Sequence, residues 1–188
     1  MRTTSNGIPR GTVRGEVRAW IERHAHRLGD EVLEVGSRMH ARGAWWIGNR
    51  DLAHGAWLGM DFQPGENVDV VADLHDMPAD WTGRFSGVLC SEVMEHVRDP
   101  DRALREIRRC LCPGGTLIVT TLTAFPLHGY PDDFRRWTES GLRVDMERAG
   151  FKNVETGRAG KVTFRLNDHG GADVTKNCPV HVFAVATA

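Results

Sequence analysis

Apolar positions recur at helical spacing near the start of the chain, where Val17, Trp20, Ile21, His24 and Leu28 fall on one side of a segment that stops at Gly29. This predicts an amphipathic helix over 13–28. Short apolar runs follow: Val32-Leu33-Glu34-Val35 closes on Gly36, and Ala56-Trp57-Leu58-Gly59-Met60 closes on Asp61, with room for one short helix between them. Val68 to Ala72 before Asp73, Gly87 to Cys90 before Ser91-Glu92, and Thr116 to Thr121 continue the series of strands. Asp101 to Leu111 sets Ala103, Leu104, Ile107 and Leu111 against a face of arginines, with Gly114-Gly115 as its stop. Thr138 is placed to cap a helix over Glu139 to Ala149, with Leu142, Val144 and Met146 inside. Beyond Phe151 the period becomes two. Val162, Phe164 and Leu166 alternate, as do Val180, Val182 and Ala184, and the polar stretch Asn167 to Asn177 reads as a long hairpin connection. Strands alternating with helices and closed by a hairpin predict an α/β sheet, mostly parallel, with one antiparallel strand near the end.

Composition narrows the class. A chain of 188 residues, 40% hydrophobic, suits one domain with a real core. Lys+Arg 24 against Asp+Glu 25 leaves a net charge of -1, which gives no long-range pull on nucleic acid or anionic lipid. The start, MRTTSNGIPRG, has no apolar core of a secretory signal, and the stretch from Thr116 to Tyr130 is too short to span a bilayer. A soluble, cytoplasmic protein without a membrane partner is expected. Cysteines at 90, 110, 112 and 178 form no CxxC pair, which fits reduced thiols better than disulfides or zinc. Glu95 and His96 are adjacent, so on a helix they point about a quarter-turn apart, and no HExxH partner accompanies them. No metal site is expected, and His96 is assigned a structural role.

In an open parallel sheet, ligands collect at the carboxyl ends of the strands where strand order reverses. Gly36 after the first strand lets a ligand approach the backbone, Asp61 after the second can grip both hydroxyls of a ribose, and Asp73 after the third can lie beside an exocyclic amine. Together they suggest a nucleoside. The GxGxxG loop of a nicotinamide dehydrogenase is absent, as is a P-loop, and Met39 and His40 would crowd a pyrophosphate.

These strand ends, taken with Arg109-Cys110-Leu111-Cys112-Pro113-Gly114-Gly115, resemble the class I S-adenosylmethionine-dependent methyltransferases, especially the small-molecule group labelled methyltransferase type 11. The resemblance runs from about Val32 to Phe151. It implies a Rossmann-like, seven-stranded sheet in a single domain, with S-adenosyl-L-methionine as cofactor. By position it makes Glu34, Gly36 and Ser37 the loop for the methionine part, Asp61 with Phe62 the ribose site, Asp73 and Leu74 the adenine edge, and Ser91 and Glu92 the floor near the methyl group. Residues 1–30 become a helical cover, 31–151 the cofactor core with its acceptor loop, and 152–188 a C-terminal hairpin. The usual loop reads roughly GxGxG, whereas Gly36 is followed here by Ser37, Arg38, Met39, His40 and Ala41. A cofactor without phosphates tolerates that loss, because no pyrophosphate has to meet the backbone amides.

The segment from Phe125 to Thr138 mixes aromatics with His, Asp and Arg between a strand and a helix, as binding loops do. Its HGYPDDFRRWT string resembles a stretch that borders the acceptor pocket in the same group. For a hydroxyl acceptor, His128 is the first candidate to remove the proton and Asp132 the second. A small-molecule acceptor, methylated on oxygen or nitrogen, is expected. The rival readings are a catalytically silent, methyltransferase-like binding subunit and a nucleic-acid methyltransferase, and the balanced charge speaks against the latter.

Overall fold

A computed structural model describes residues 3–4, 12–39, 48–129, 132–167 and 173–188. The sheet of seven strands is built from β1 (Glu31–Val35), β2 (Ala56–Asp61), β3 (Val70–Val71), β4 (Phe85–Ser91), β5 (Leu111–Leu122), β6 (Lys152–Ala159) and β9 (His181–Thr187). Its order is β3-β2-β1-β4-β5-β9-β6. The remaining strands, β7 (Val162–Asn167) and β8 (Asp173–Cys178), pair only with each other. Helices α1 (Val13–His24), α2 (Pro100–Cys110) and α3 (Glu139–Arg148) pack on the large sheet. Strand β1 runs parallel to β2 and β4, and β4 parallel to β5, whereas β9 lies antiparallel between β5 and β6. This is the Rossmann-like sheet, mostly parallel with one antiparallel strand, that the sequence leads one to expect.

The pleat divides each apolar run between two cores. Val32, Leu89, Ile118, Phe183 and Val185 face α1, meeting Val17, Ile21, Ala25 and Leu28. Their neighbours Leu33, Val88, Leu117, Val119, Val182 and Ala184 face the opposite way, onto Ala103, Leu104 and Ile107 of α2 and Leu142 and Met146 of α3. Each helix begins on a side-chain cap. The Thr12 hydroxyl accepts from the Gly15 amide (3.0 Å), the Asp99 carboxylate from the Arg102 amide (3.1 Å) with Pro100 in the first turn, and the Thr138 hydroxyl from the Gly141 amide (3.0 Å).

Several details differ from the sequence reading. Helix α1 ends at His24 and tightens into a 3-10 turn over Ala25–Arg27, and β3 is only Val70–Val71. Gly114 and Gly115 lie within β5, which α2 enters directly after Cys110. Val144 is 42% exposed, because Leu142 and Met146, four residues apart, define a buried face that it does not share. Between β1 and β2, residues 40–47 lie outside the described residues, and Arg50–Leu52 forms a 3-10 turn.

The C-terminal segment is arranged differently from a hairpin of 162–166 with 180–184. Val162–Asn167 pairs with Asp173–Cys178, within the expected connection, while β9 inserts between β5 and β6. Burial explains it. Val182, Phe183, Ala184, Val185 and Ala186 are all buried, so β9 is apolar on both faces and belongs at the centre of a covered sheet. No described helix is long and apolar enough to cross a membrane.

If α3 presents the face described, Leu142→Ala should cost about 2–5 kcal/mol of stability, and Val144→Ala no more than about 0.5 kcal/mol. Urea denaturation of the two variants decides it, equal losses meaning that the face is wrongly assigned.

Candidate active site

A cavity of about 1150 Å³ opens over the carboxyl ends of β1, β2 and β4, beside the end of β5. It sits where strand order reverses, between β1 and β4. The loops leaving these strands touch there. Gly36 has a φ of 71°, and a Cβ built on it would stand 2.2 Å from Val93 Cγ2, so only glycine fits both the backbone and the space.

The residues after Gly36 are tied to the β2–β3 connection. The Ser37 hydroxyl donates to the Asn67 carbonyl (2.9 Å), Arg38 Nη1 to Gln63 Oε1 (2.5 Å), and the Met39 amide to the Glu66 carbonyl (3.0 Å). Gly59 permits this approach, since a Cβ there would meet the Asn67 carbonyl at 2.0 Å. Ser37 is therefore buried outside the cavity wall, while Glu34, Gly36, Asp61, Phe62, Asp73, Leu74, Ser91, Glu92, His128 and Asp132 all line it.

Glu34 anchors the wall nearest α1. Its Oε1 accepts from Asn49 Nδ2 (2.7 Å) and its Oε2 from Trp57 Nε1 (2.9 Å). The Asn49 side-chain Oδ1 in turn accepts from Arg18 Nη1 (3.0 Å), and Arg18 also pairs with Glu22 (3.2 Å) and Asp51 (2.5 Å). Helix α1 lends Arg14, Val17, Arg18 and Ile21 to the same wall. Burial pushes the Glu34 carboxyl above its ordinary range, opposed by the two side-chain donors.

At the ends of β2 and β3, Asp61 Oδ1 accepts from the Gln63 amide (3.0 Å), and Oδ2 takes no hydrogen bond among the described residues. Phe62 is 53% exposed, an aromatic face at the cavity mouth, and Leu74 is a buried apolar one. Asp73 is engaged locally: its Oδ1 accepts from the His75 amide (2.8 Å) and lies 2.7 Å from His75 Nδ1. These bonds hold its carboxyl below the usual carboxylate range.

The far side of the cavity is titratable. Ser91 Oγ and Thr120 Oγ1 are 2.8 Å apart, and Glu92 has a φ of 57°, a left-handed conformation uncommon for a residue with a side chain. Glu92 Oε2 lies 2.9 Å from His181 Nδ1. Met94–His96 is a 3-10 turn instead of the helix assumed from sequence, and it brings Glu95 Oε1 within 4.0 Å of His96 Nε2. Glu95 is pushed up to about 8, first by burial and then by the Glu92 carboxylate. His128 Nδ1 lies 3.2 Å from Asp133 Oδ2, and Asp133 is clamped by Arg136 (Nη2 to Oδ2, 2.6 Å). Asp132 lines the wall, and its carbonyl lies 2.5 Å from His96 Nδ1. Tyr130 and Pro131 lie outside the described residues. Sequence reasoning set Glu95 aside and missed Asn49 and His181; the last comes from β9, where it faces Leu122 across the sheet and has no local motif to betray it.

The chain belongs to the family described as "Methyltransferase domain", whose sequence model matches residues 10–156, and its class is that of the class I S-adenosylmethionine-dependent methyltransferases. The ubiquinone biosynthesis O-methyltransferase of Chromobacterium violaceum is 32% identical over 114 residues, 55% of this chain and 49% of that protein. Its namesake from Xanthomonas oryzae pv. oryzae is 43% identical over 56 residues, 30% and 23% of the two chains. The chain thus spans half or less of the length of these curated relatives. Among solved structures, a SAM-dependent methyltransferase from Archaeoglobus fulgidus superposes with a TM-score of 0.66 at 13% identity, over 93% of this chain and 94% of that one. The 1,6-didemethyltoxoflavin-N1-methyltransferase of Burkholderia thailandensis, solved with 1,6-didemethyltoxoflavin and S-adenosylhomocysteine bound, gives 0.60 at 14% identity, over 94% and 78%. At such identities it is the fold that is shared. The family's cofactor is S-adenosylmethionine, and the groups present suit it: a glycine turn with no room for a Cβ, a carboxylate oxygen left unbonded beyond β2, and an exposed aromatic face beside it.

The raised Glu34 carboxyl gives a pH test. Native Glu34 keeps a proton that the unfolded chain loses near 4.5, so stability should fall as pH rises from about 4.5 to the higher folded value. Denaturation midpoints measured across that window should show the fall in the parent chain and a flatter profile in Glu34→Gln; identical profiles would show that Glu34 ionises normally.

Proposed function

We propose that the chain transfers a methyl group from S-adenosylmethionine to a small-molecule acceptor, on oxygen or nitrogen. The observation that carries this reading is the division of one continuous cavity into two chemically different halves. Asp61, Phe62 and Leu74 line one half, while Glu95, His96, Phe125, His128 and Phe134 line the other. Its volume, about 1150 Å³, exceeds the usual range of single-ligand pockets, roughly 300–1,000 Å³, and leaves space for an acceptor beside a cofactor. The O-methyltransferase relatives favour an oxygen acceptor.

The cofactor supplies an electrophilic methyl group on a sulfonium. In this reading the Asp61 carboxylate takes the ribose hydroxyls through its unbonded Oδ2, Phe62 covers the adenine, and Leu74 with Asp73 borders its edge. Glu34 and Gly36 shape the methionine end, with Ser37 holding the loop from behind, and Ser91 and Glu92 floor the space between the halves. The chain's task is then alignment and exclusion of water. Phe125 and Phe134 are exposed aromatics at the acceptor rim, placed to be covered when an acceptor binds. Asp133 orients the His128 ring so that Nδ1 donates to the carboxylate and Nε2 is left to take the proton of an acceptor hydroxyl. Asp132 serves as the second candidate for that proton.

Two measurements test the halves separately. Asp61→Ala should weaken S-adenosylmethionine binding in calorimetry by about 1.5–3 kcal/mol, the loss expected for charge-assisted hydrogen bonds; unchanged affinity would remove Asp61 from the ribose. His128→Ala should leave that affinity nearly intact and lower turnover by roughly 10²–10⁴-fold. If turnover and acceptor affinity both survive the loss of the imidazole, the acceptor does not bind beside it.

A further inference from the structure

We propose that the side chains of Glu95, His96 and His128 form a binding site for a first-row divalent transition-metal ion on the acceptor wall of the cavity. The three side chains each offer one ligand atom, and these atoms lie within 4.8 Å of one another. The inference deepens the reading of the acceptor half; it rests on that reading for the use made of the ion, not for the ion's binding.

The hydrogen bonds behind each donor leave the inward atom available. Glu95 is 1% exposed in its side chain, its Oε2 accepts from Thr121 Oγ1 (2.8 Å), and its Oε1 is buried with no hydrogen-bond partner among the described residues. Such an atom is costly unless a positive or donating group meets it. A backbone carbonyl can only accept, so the contact of His96 Nδ1 with the Asp132 carbonyl (2.5 Å) fixes the proton on Nδ1 and the lone pair on Nε2. The Asp133 carboxylate does the same for His128 and is itself held by Arg136. An imidazole backed by a carbonyl or carboxylate is the arrangement that metal-ligating histidines use.

The donor set names the class of ion. Two imidazoles and one carboxylate suit zinc, iron, cobalt, nickel or manganese better than magnesium or calcium, which favour oxygen ligands throughout. Ligand distances of about 2.0–2.2 Å require donors about 3.4 Å apart in a tetrahedral site. The cluster therefore has to close by about an ångström, and of the three side chains that of His128 is the most exposed, at 41%. All three residues line the cavity, so an ion held by them would be open to an acceptor there. An acceptor hydroxyl bound there loses its proton to water more readily, and its oxygen forms the new bond to the methyl carbon as the sulfur–carbon bond breaks. A nitrogen that gives its lone pair to the ion cannot also take the acceptor's proton, so the two roles of His128 exclude each other.

The test uses the full chain without a histidine tag, stripped with a chelator and titrated with Co²⁺ in the absence of cofactor and acceptor, followed by visible absorption. One Co²⁺ should bind per chain with the bands of a nitrogen- and oxygen-ligated site. Each of His96→Ala, His128→Ala and Glu95→Gln should weaken binding by at least about tenfold, with circular dichroism confirming that each variant folds; His128→Ala, on an exposed loop, keeps the test informative if a buried substitution fails to fold. Absence of saturable binding, or binding unaffected by His96→Ala and His128→Ala, overturns the site and returns His128 to the role of base. Co²⁺ binding that survives in a chain unable to bind S-adenosylmethionine would instead sink the methyl-transfer reading and leave the metal site standing.

Discussion

The constraint on which the site depends is the contact between the loops that leave β1 and β4. These strands lie side by side, yet the chain continues from them toward opposite halves of the sheet, so their loops meet and then part. The meeting point is Gly36 against Val93, a contact with no room for a Cβ. Everything the cavity needs is hung from that parting. The turn after β1 and the residues beyond β2 form one bank, and the turn after β4 with the loop after β5 forms the other.

Each bank is stiffened by polar bonds suited to its chemistry. On the side of β1 and β2 the serine and arginine that follow Gly36 bond to residues 63–67, Ser37 as a strut behind the turn and Arg38 on the cavity wall with Gly36 and Glu34. The partly buried Arg18–Asn49–Glu34–Trp57 chain joins α1 to the end of β1, which is how the N-terminal helix comes to line the cavity. On the other side the loop after β5 is fastened to the 3-10 turn and to β5. The Phe134 amide donates to the Glu95 carbonyl (2.8 Å), the Trp137 amide to the Leu122 carbonyl (2.9 Å), and Arg135 Nη2 to the Arg98 carbonyl (2.8 Å). That fastening carries His128 to the neighbourhood of His96, their ring centroids 5.1 Å apart. A loop 30 residues along the chain thereby acquires a fixed relation to Glu95.

The order of strands and helices was legible in the sequence because it rests on local periodicity and local punctuation. Thr138, Gly36 and the apolar face of α2 signal their elements without help from distant residues. The strand-end part of the candidate site was legible for the same reason: Gly36 and Phe62 directly follow β1 and β2, Asp61 ends β2 and Leu74 lies shortly after β3, and strand ends in such a sheet gather at one edge. The C-terminal pairing was less so, since an alternating run and a continuous one differ by a few apolar residues, and only burial on both faces shows that β9 belongs beside β5.

Only the tertiary structure assembled the wall of Glu92, Glu95, His96, His128 and His181, because its members come from separate elements whose spacing along the chain carries no signal. Glu95 and His96 looked incompatible on a helix and become neighbours on a 3-10 turn, where their donor atoms are 4.0 Å apart. His181 reaches Glu92 because β9 runs antiparallel beside β5, and Ser37 faces away from the cavity because its hydroxyl found the Asn67 carbonyl. Sequence alone decides which strand ends bear chemistry, through patterns a few residues long; which side chains meet, and which way their donors and acceptors point, is decided by long-range packing and hydrogen bonding that no short pattern records.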